Sequence, residues 1–145
     1  MILGIGTDIL LIDRIKKVHD KYGVRFANKL LTAHELLEFK QQIDLSQQAR
    51  FLAKKFASKE AILKAIGTGI STQCNFNDID IRHDSLGKPI VRLSKRVHEF
   101  LDRSRNSFTE KNRSIEAEVK QSIQVLLSLS DENNLVSAFA ILQII

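Results

Sequence analysis

Two acidic side chains and one lysine have the residue types needed to bind a divalent cation beside a phosphate. Asp8 closes a short apolar run at the start of the chain, and Glu60 lies in a lysine-rich stretch that also contains Lys64. Mg²⁺ combines one or two carboxylates with phosphate oxygens and water. If the fold brings Asp8 and Glu60 together, the site has the chemistry to hold and cleave a pyrophosphate.

Each of these residues also has an ordinary structural explanation. An aspartate after an apolar run, like Asp8, commonly caps the next helix. Glu60 and Lys64 have i,i+4 spacing, and such a helical ion pair contributes only about 0.3–0.5 kcal/mol. However, Phe56 and Ile62 indicate that much of this helix faces the core, and a carboxylate bordering buried surface needs a positive partner or a metal. Both interpretations stay open from the residues alone.

A short strand and one long helix must position these side chains. Residues 2–6 are apolar and β-branched, which predicts a first strand, and apolar residues then recur at helical spacing at Ile9, Ile12 and Ile15. Residues 46–66 contain neither glycine nor proline and many strong helix formers, so they are predicted to form the main helix. Gly67 and Gly69 are predicted to end it.

The rest of the chain predicts further helices and two strand pairs. Thr32 and Glu35 have the spacing of a helix capping box. Later segments predict a strand pair at 76–82 and 90–93, a short helix at 94–101, and a hairpin of strands at 123–129 and 135–144. The charged residues 102–121 are interpreted as a surface insertion, either a loop or a solvated helix. The pattern predicts a single domain over residues 1–145 with an α+β fold, in which an antiparallel sheet packs against one long helix and shorter helices.

Composition limits the class of protein. The chain has 145 residues, 43% of them hydrophobic, and a formal charge of +5, which suits nucleic acid, a phosphate-rich cofactor or an acidic protein as partner. The single cysteine, Cys74, excludes an internal disulfide and is typical of a reducing compartment. No apolar run approaches the roughly 18–20 residues of a membrane span, and no signal peptide is recognised. A cytoplasmic protein with neither a membrane nor a nucleic-acid partner is predicted.

Several familiar site motifs are absent or incomplete. Gly4-Ile5-Gly6 is not a dinucleotide fingerprint, because Ile9 stands where the third glycine is required. The four histidines have no zinc-site spacing. The loop Gly67-Thr68-Gly69 has flexible backbone that could face an anion, but the end of a helix carries partial negative charge, so a plain helix stop is an equal alternative.

Taken together, the motifs resemble the holo-acyl-carrier-protein synthase family, the small bacterial 4′-phosphopantetheinyl transferases. The similarity covers nearly the whole chain in order. It lies in Ile5-Gly6-Thr7-Asp8-Ile9 with Arg14, in Arg50-Phe51-Leu52-Ala53, in Lys59-Glu60-Ala61, in Lys64-Ala65 leading to Gly67-Thr68-Gly69, in Asp78-Ile79-Asp80-Ile81 leading to Gly87-Lys88-Pro89, and in Ser128-Leu129-Ser130 with Ala138 and Ala140. The resemblance implies the fold of that family and a Mg²⁺-dependent transfer of 4′-phosphopantetheine from coenzyme A to a serine of apo acyl carrier protein. The products would be holo acyl carrier protein, needed for fatty acid biosynthesis, and adenosine 3′,5′-bisphosphate.

The resemblance also implies roles for individual residues and a homotrimer with active sites between subunits. Asp8 and Glu60 would bind Mg²⁺, and the catalytic residues would be Asp8, Glu60 and Lys64. Glu60 is expected to remove the serine proton, and Lys64 to stabilise the leaving phosphate. Coenzyme A would contact Arg50, Phe51, Lys64, Gly67, Thr68, Gly69, Lys88 and Pro89. The acidic carrier protein would dock on Arg14, Lys17 and Arg25.

Two departures from the family pattern leave alternatives open. Leu11 stands where the family often has an acid, and Asp131 stands where it often has histidine. A catalytically damaged relative is therefore one alternative. The other, from a different class, is a small nucleic-acid-binding module that uses Lys16, Lys17, Lys54, Lys55, Lys59 and Lys64, although no clustered aromatic and basic surface strand supports it.

Overall fold

The computed structural model of the chain describes residues 1–109 and 122–145. The helices are α1 (Ile12–Tyr22), α2 (Val24–Leu30), α3 (Ala33–Lys40), α4 (Leu45–Ile66) and α5 (Lys95–Thr109), with a 3₁₀ helix at Phe76–Asp78. The strands are β1 (Ile2–Leu11), β2 (Ile79–His83), β3 (Pro89–Leu93), β4 (Ile123–Glu132) and β5 (Leu135–Ile144).

The described strands form two antiparallel sheets. The larger has the order β1-β5-β4, so the C-terminal hairpin supplies its centre and one edge, and the smaller pairs β2 with β3. Helix α4 packs against β1 and β5, and the buried hydrophobic residues of helix and sheet form one core. The predicted α+β fold with one long helix is confirmed, although the strands divide between two sheets.

Two glycines allow β1 to lie directly on the backbone of α4. A Cβ added at Gly6 would overlap the carbonyl oxygen of Ala61 and lie 2.6 Å from the backbone nitrogen of Ala65. A Cβ added at Gly4 would overlap the carbonyl oxygen of Ala65. Because neither glycine has a side chain, the strand that carries Asp8 approaches the helix more closely than any other residue would allow.

Helix α4 begins and ends where the sequence predicts. The side chain of Asp44 accepts a hydrogen bond from the Gln47 backbone N–H (2.8 Å), which satisfies one free donor of the first turn. Gly67 ends the helix with φ of 84° and donates its N–H to the carbonyl oxygen of Leu63. The predicted capping box of Thr32 and Glu35 is also present, at the start of α3.

The first strand is longer than predicted, and the ordinary explanation of Asp8 is wrong. β1 runs to Leu11 because its pairing with β5 continues through Asp8 opposite Ala138 and Leu11 opposite Leu135. Helix α1 therefore begins at Ile12, and its N-cap residue is Leu11, which makes no side-chain capping hydrogen bond. Asp8 lies inside a strand and caps no helix.

Several later boundaries also differ from the prediction, and β4 continues to Glu132 instead of ending at 129. Phe76–Asp78 forms a 3₁₀ helix capped by the Asn75 side chain, so β2 begins only at Ile79. Helix α5 continues past residue 101 to Thr109, so the first part of the predicted insertion at 102–121 is helical. The remainder, 110–121, lies outside the described residues. In residues 1–109 and 122–145 no helix combines the length and apolarity needed to cross a membrane.

Candidate active site

Lys64 of α4 reaches across to β1 and pairs with Asp8. Its Nζ donates hydrogen bonds to Oδ1 of Asp8 (2.9 Å) and to the carbonyl oxygen of Thr7 (2.8 Å). The Asp8 side chain is 15% exposed, whereas that of Lys64 is 51% exposed, so the lysine shields the carboxylate while its own amine reaches solvent. The i,i+4 spacing of Glu60 and Lys64 therefore does not identify the partner of Lys64. Its ammonium pairs with Asp8 of β1 instead.

Glu60 lies one helical turn before Lys64 and is half-buried. Burial raises the pKa of the Glu60 carboxyl, the negative charge of Asp8 raises it further, and the ammonium of Lys64 lowers it. Glu60 precedes Lys64 by one turn of α4, and Lys64 is bonded to Asp8, so the same stretch of helix and strand carries all three side chains. The structure thus brings Asp8, Glu60 and Lys64 together.

This cluster fits a divalent cation that shares its ligands with a substrate. Two carboxylates and one ammonium carry a net negative charge, and a cation between the carboxylates would remove their repulsion. The described residues contain no group of three or more histidine, cysteine or acidic side chains that could hold a metal by themselves. Mg²⁺ accepts one or two carboxylates if phosphate oxygens and water complete its octahedron. Asp8 and Glu60 are the residues that would hold it.

The glycine loop that was predicted to bind coenzyme A directly follows this part of α4. Gly67 and Gly69 both have positive φ, 84° and 58°, so the chain turns sharply three residues after Lys64. The hydroxyl of Thr68 donates to the carbonyl oxygen of Gly69 (3.0 Å). The loop is therefore placed near Lys64 by chain connectivity, and its contact with a coenzyme stays a prediction.

Arg50 and Phe51 lie at the other end of α4. Arg50 is ten positions before Glu60, which places the two residues roughly 15 Å apart along the helix axis. Its guanidinium donates to Oδ2 of Asp131 (2.6 Å) and to the carbonyl oxygen of Asn133 (2.9 Å). The ring of Phe51 packs against that of Phe39, with 5.9 Å between centroids. Within one chain these residues are separated from the acidic pair.

The other predicted contacts lie on different elements. Lys88 and Pro89 belong to the turn and first position of β3, in the smaller sheet. Arg14 and Lys17 on α1 and Arg25 on α2 are all exposed, and none forms an ion pair with another described residue. The acidic pair, Lys64 and the glycine loop therefore lie on one part of the fold, and the contact of the other predicted residues with a coenzyme stays a prediction.

The sequence did not predict that Lys55 and Lys59 are buried and pair with other elements of the fold. Lys59 is 0% exposed and Lys55 is 4% exposed, and both form ion pairs with acidic residues of α3. The nucleic-acid alternative required them on a surface, so that surface does not exist as predicted. A count of lysines along a helix cannot show burial, which here depends on acceptors from other elements.

Comparison with known proteins identifies the family. The model of the 4′-phosphopantetheinyl transferase superfamily matches residues 4–124. The chain therefore belongs to the 4′-phosphopantetheinyl transferase superfamily.

Named relatives within that superfamily match over nearly their full lengths. The chain is 40% identical over 141 residues to a holo-[acyl-carrier-protein] synthase of Neisseria meningitidis, covering 97% of this chain and 98% of the relative. It is 41% identical over 143 residues to one of Vibrio cholerae, covering 99% of this chain and 98% of the relative.

Solved structures agree with these matches. The crystal structure of the holo-[acyl-carrier-protein] synthase of Neisseria meningitidis has a TM-score of 0.78 at 40% identity, with 99% of both chains covered. A holo-(acyl-carrier-protein) synthase of Bacillus anthracis, solved in complex with CoA (3′,5′-ADP), has a TM-score of 0.73 at 33% identity and covers 98% of this chain and 96% of that one.

Proposed function

We propose that this protein transfers the 4′-phosphopantetheine group from coenzyme A to a serine hydroxyl of apo acyl carrier protein. The observation that carries the proposal is the cluster of Asp8, Glu60 and Lys64 beside a glycine loop. Family membership supports the same reaction, because the matched relatives are holo-[acyl-carrier-protein] synthases. The proposal includes Mg²⁺ bound by Asp8 and Glu60, a cytoplasmic location, and one domain over residues 1–145 with 102–121 as a surface insertion.

The reaction exchanges one phosphorus–oxygen bond for another. The serine oxygen bonds to the phosphorus that carries pantetheine, and the bond from that phosphorus to the bridging oxygen of the pyrophosphate breaks. Adenosine 3′,5′-bisphosphate leaves with the bridging oxygen, and Glu60 accepts the serine proton. Mg²⁺, when bound, supplies positive charge that neutralises the pyrophosphate.

The side chains of the cluster suit these tasks. The raised pKa of Glu60, caused by burial and by Asp8, makes its carboxylate a better proton acceptor than a solvated glutamate. The half-exposed ammonium of Lys64 can extend from Asp8 toward the leaving phosphate, where negative charge develops. The glycines at 67 and 69 keep bulky side chains away from the end of α4, where the coenzyme would pass.

Purified protein incubated with coenzyme A, Mg²⁺ and an apo carrier protein tests this function. The carrier is expected to gain the mass of one phosphopantetheine group, and a carrier whose acceptor serine is alanine is expected to gain none. Removal of the cation with a chelator should stop the reaction, and added Mg²⁺ should restore it. An unchanged carrier mass with coenzyme A and Mg²⁺ in excess would contradict the proposal.

We also propose a homotrimer, because the outer face of the larger sheet carries a patch of apolar side chains that the described residues leave exposed. Thr7 and Ser137 are the polar residues within this patch. The inner face packs against α4, while the side chains that alternate with it point outward. The exposed apolar side chains are Leu3, Ile5, Ile9, Leu11, Leu135 and Phe139. Leu11, at the position where an acid is frequent in the family, is thus part of an apolar surface that further copies of the chain would cover.

We further propose that the active sites lie between subunits, as the resemblance to the family implies. At roughly 15 Å along α4, Arg50 cannot contact the same phosphate as Glu60 in one chain. In an assembly, Arg50 of one protomer and the Asp8 and Glu60 side of its neighbour would bind opposite ends of one coenzyme. Arg14, Lys17 and Arg25, all exposed, remain the proposed docking residues for the acidic carrier protein.

Ile9→Asp tests the proposed assembly. A carboxylate in the middle of the apolar face should separate the subunits, because its desolvation opposes burial. Light scattering is expected to show trimers for the wild-type protein and monomers for the variant, with carrier modification reduced by at least about tenfold. Ile43→Asp is the control, since Ile43 is exposed between α3 and α4 and lies outside that face. A monomeric wild-type protein with full activity would contradict the proposal.

A further inference from the structure

The ammonium of Lys59 is fully buried and has three acceptors from three different elements. Its Nζ donates to Oε2 of Glu35 (2.6 Å), to the carbonyl oxygen of Leu30 (2.7 Å) and to the carbonyl oxygen of Phe76 (3.0 Å). Lys59 is 0% exposed, so water replaces none of these contacts. The side chain therefore fixes α4 to the end of α2, the first turn of α3 and the 3₁₀ helix.

The partner carboxylate of Glu35 is also fully satisfied. Besides Lys59, it accepts the backbone N–H of Thr32 (2.9 Å) and the backbone N–H of Ile81 in β2 (3.0 Å). Glu35 is 0% exposed. The pair thus ties α4 to a fourth element, β2, and has little freedom to reorient.

Lys59 lies on the side of α4 opposite to β1. At about 100° per residue, Ala61 and Ala65 are displaced by roughly 200–240° from Lys59, whereas Glu60 and Lys64 are displaced by roughly 100–140°. Ala61 and Ala65 are the positions on which Gly6 and Gly4 of β1 rest. The helix is therefore held from two nearly opposite sides, and Glu60 and Lys64 project from the flank between them, toward Asp8.

We infer that Lys59 is a positioning residue for the transfer reaction. Its buried contacts fix the rotation of α4 about its axis and its position along that axis, so that Glu60 faces Asp8. A rotation of the helix that released Lys59 from its acceptors would swing the next residue, Glu60, by the same angle. This role rests on the proposed function, since it concerns the geometry of the cation and proton acceptor used there. It adds a residue that touches neither substrate nor metal.

Stability and positioning are separated by removing both members of the buried pair. Lys59→Met alone leaves the Glu35 carboxylate buried without its ammonium, which destabilises the fold. In Lys59→Met/Glu35→Gln both charges are gone, and the amide oxygen introduced by the second substitution can still accept from one of the two backbone N–H groups that Glu35 binds, those of Thr32 and Ile81. The matched control is Lys55→Met, which removes a buried ammonium bonded to the Ile81 carbonyl oxygen (2.6 Å) and to Glu38 (3.3 Å), one turn earlier on the helix. Lys55 also lies 3.6 Å from Oε1 of Glu35, so the control shares the buried ion pairs but none of the contacts of Lys59 with Leu30 and Phe76.

The expected result is a double variant that folds but is a poor catalyst. Its Tm should recover part of what Lys59→Met loses, because no unpaired charge is buried, although one backbone N–H loses its acceptor. The kcat should stay about 10–100-fold below wild type. The KM for coenzyme A should change by less than about threefold, because the substitutions do not alter the glycine loop at residues 67–69. With coenzyme A present, the Mg²⁺ concentration that gives half of the thermal stabilisation should rise by at least about fivefold. Lys55→Met should keep kcat and this Mg²⁺ midpoint within about twofold of wild type at temperatures where it is folded.

A double variant with wild-type kcat and Mg²⁺ midpoint would show that Lys59 is only a stabilising residue and would overturn the inference. If the double variant does not fold, Lys59→Arg decides in its place. It keeps the charge beside Glu35, but a planar guanidinium cannot serve the three acceptors of one compact ammonium. A folded Lys59→Arg protein with wild-type kcat and midpoint would overturn the inference as well. If the wild-type protein modifies no carrier, that result contradicts the proposed function and is distinct from a failure of the inference about Lys59.

Discussion

Replacing Glu60 by glutamine should lower kcat for carrier modification by about 10³-fold. The substitution keeps the size of the side chain but removes both the proton acceptor and one of the two carboxylates proposed to hold Mg²⁺. Asp8→Asn should also lower kcat, because it removes the other carboxylate, which is the anionic partner of Lys64. The rate of mass gain on the carrier, measured at saturating coenzyme A, checks both expectations.

Glu38→Gln is the matched control for these variants. Glu38 is a half-buried glutamate on α3 that pairs with Lys55, away from Asp8, so the same chemical change there should leave kcat near the wild-type value. Near-normal transfer by Glu60→Gln and Asp8→Asn would show that the acidic pair is not the site.

The same Glu60→Gln protein should be no less stable than wild type in metal-free buffer at neutral pH. Burial and Asp8 raise the pKa of Glu60 in the folded protein, so the folded state holds this proton more tightly than the unfolded state. Stability from this group therefore falls as pH rises through the unfolded pKa of about 4.3 toward the raised folded value, and glutamine avoids the loss. The difference in Tm between the two proteins should disappear below the unfolded pKa. A Tm of Glu60→Gln clearly below that of wild type at neutral pH would contradict a raised pKa for Glu60.

Gly6→Ala should destabilise the protein by about 3 kcal/mol or more. The new methyl group would overlap the carbonyl oxygen of Ala61 and lie 2.9 Å from Cβ of Lys64, so β1 must move away from α4. Because Asp8 is on the same strand, this movement would also separate it from Glu60. Urea unfolding at a fixed chain concentration measures the first effect, and the transfer rate measures the second.

Gly23→Ala distinguishes close packing from the general loss of a glycine. A Cβ at Gly23 would meet no atom within 4 Å, although its φ of 51° with ψ of −130° is rarely adopted by residues with a side chain and costs about 1–3 kcal/mol there. This variant should be less destabilised than Gly6→Ala and should keep its transfer rate. Equal losses of activity in the two variants would show that contact between β1 and α4 does not place Asp8.

The sequence predicted the elements whose signals are local. Helix α4 consists largely of strong helix formers and ends at Gly67, and these features of the segment itself predict the helix. The end of β1 was wrong because Thr7 and Asp8 are polar, as at the end of a strand. Pairing with β5 carries the strand on to Leu11, and local polarity does not report such long-range pairing.

The sequence suggested the residues of the candidate site but not the buried contacts that position them. The motif around Asp8 and the motif around Glu60 suggest a shared cation, and the structure places Asp8 against Lys64 and close enough to shift the pKa of Glu60. The burial of Lys59 was not predictable, since two of its three acceptors are the carbonyl oxygens of Leu30 and Phe76, 29 and 17 positions away in the chain, and the third, Glu35, is on another helix. Backbone acceptors from distant segments leave no residue-type signal.

A crystal structure with coenzyme A and Mn²⁺ in place of Mg²⁺ tests the shared cation most directly, because Mn²⁺ can be located by its anomalous scattering. We predict one ion per chain, bound by a carboxylate oxygen of Asp8, a carboxylate oxygen of Glu60 and a pyrophosphate oxygen. An ion bound by only one of these two acids, or bound elsewhere in an active crystal, would contradict the account.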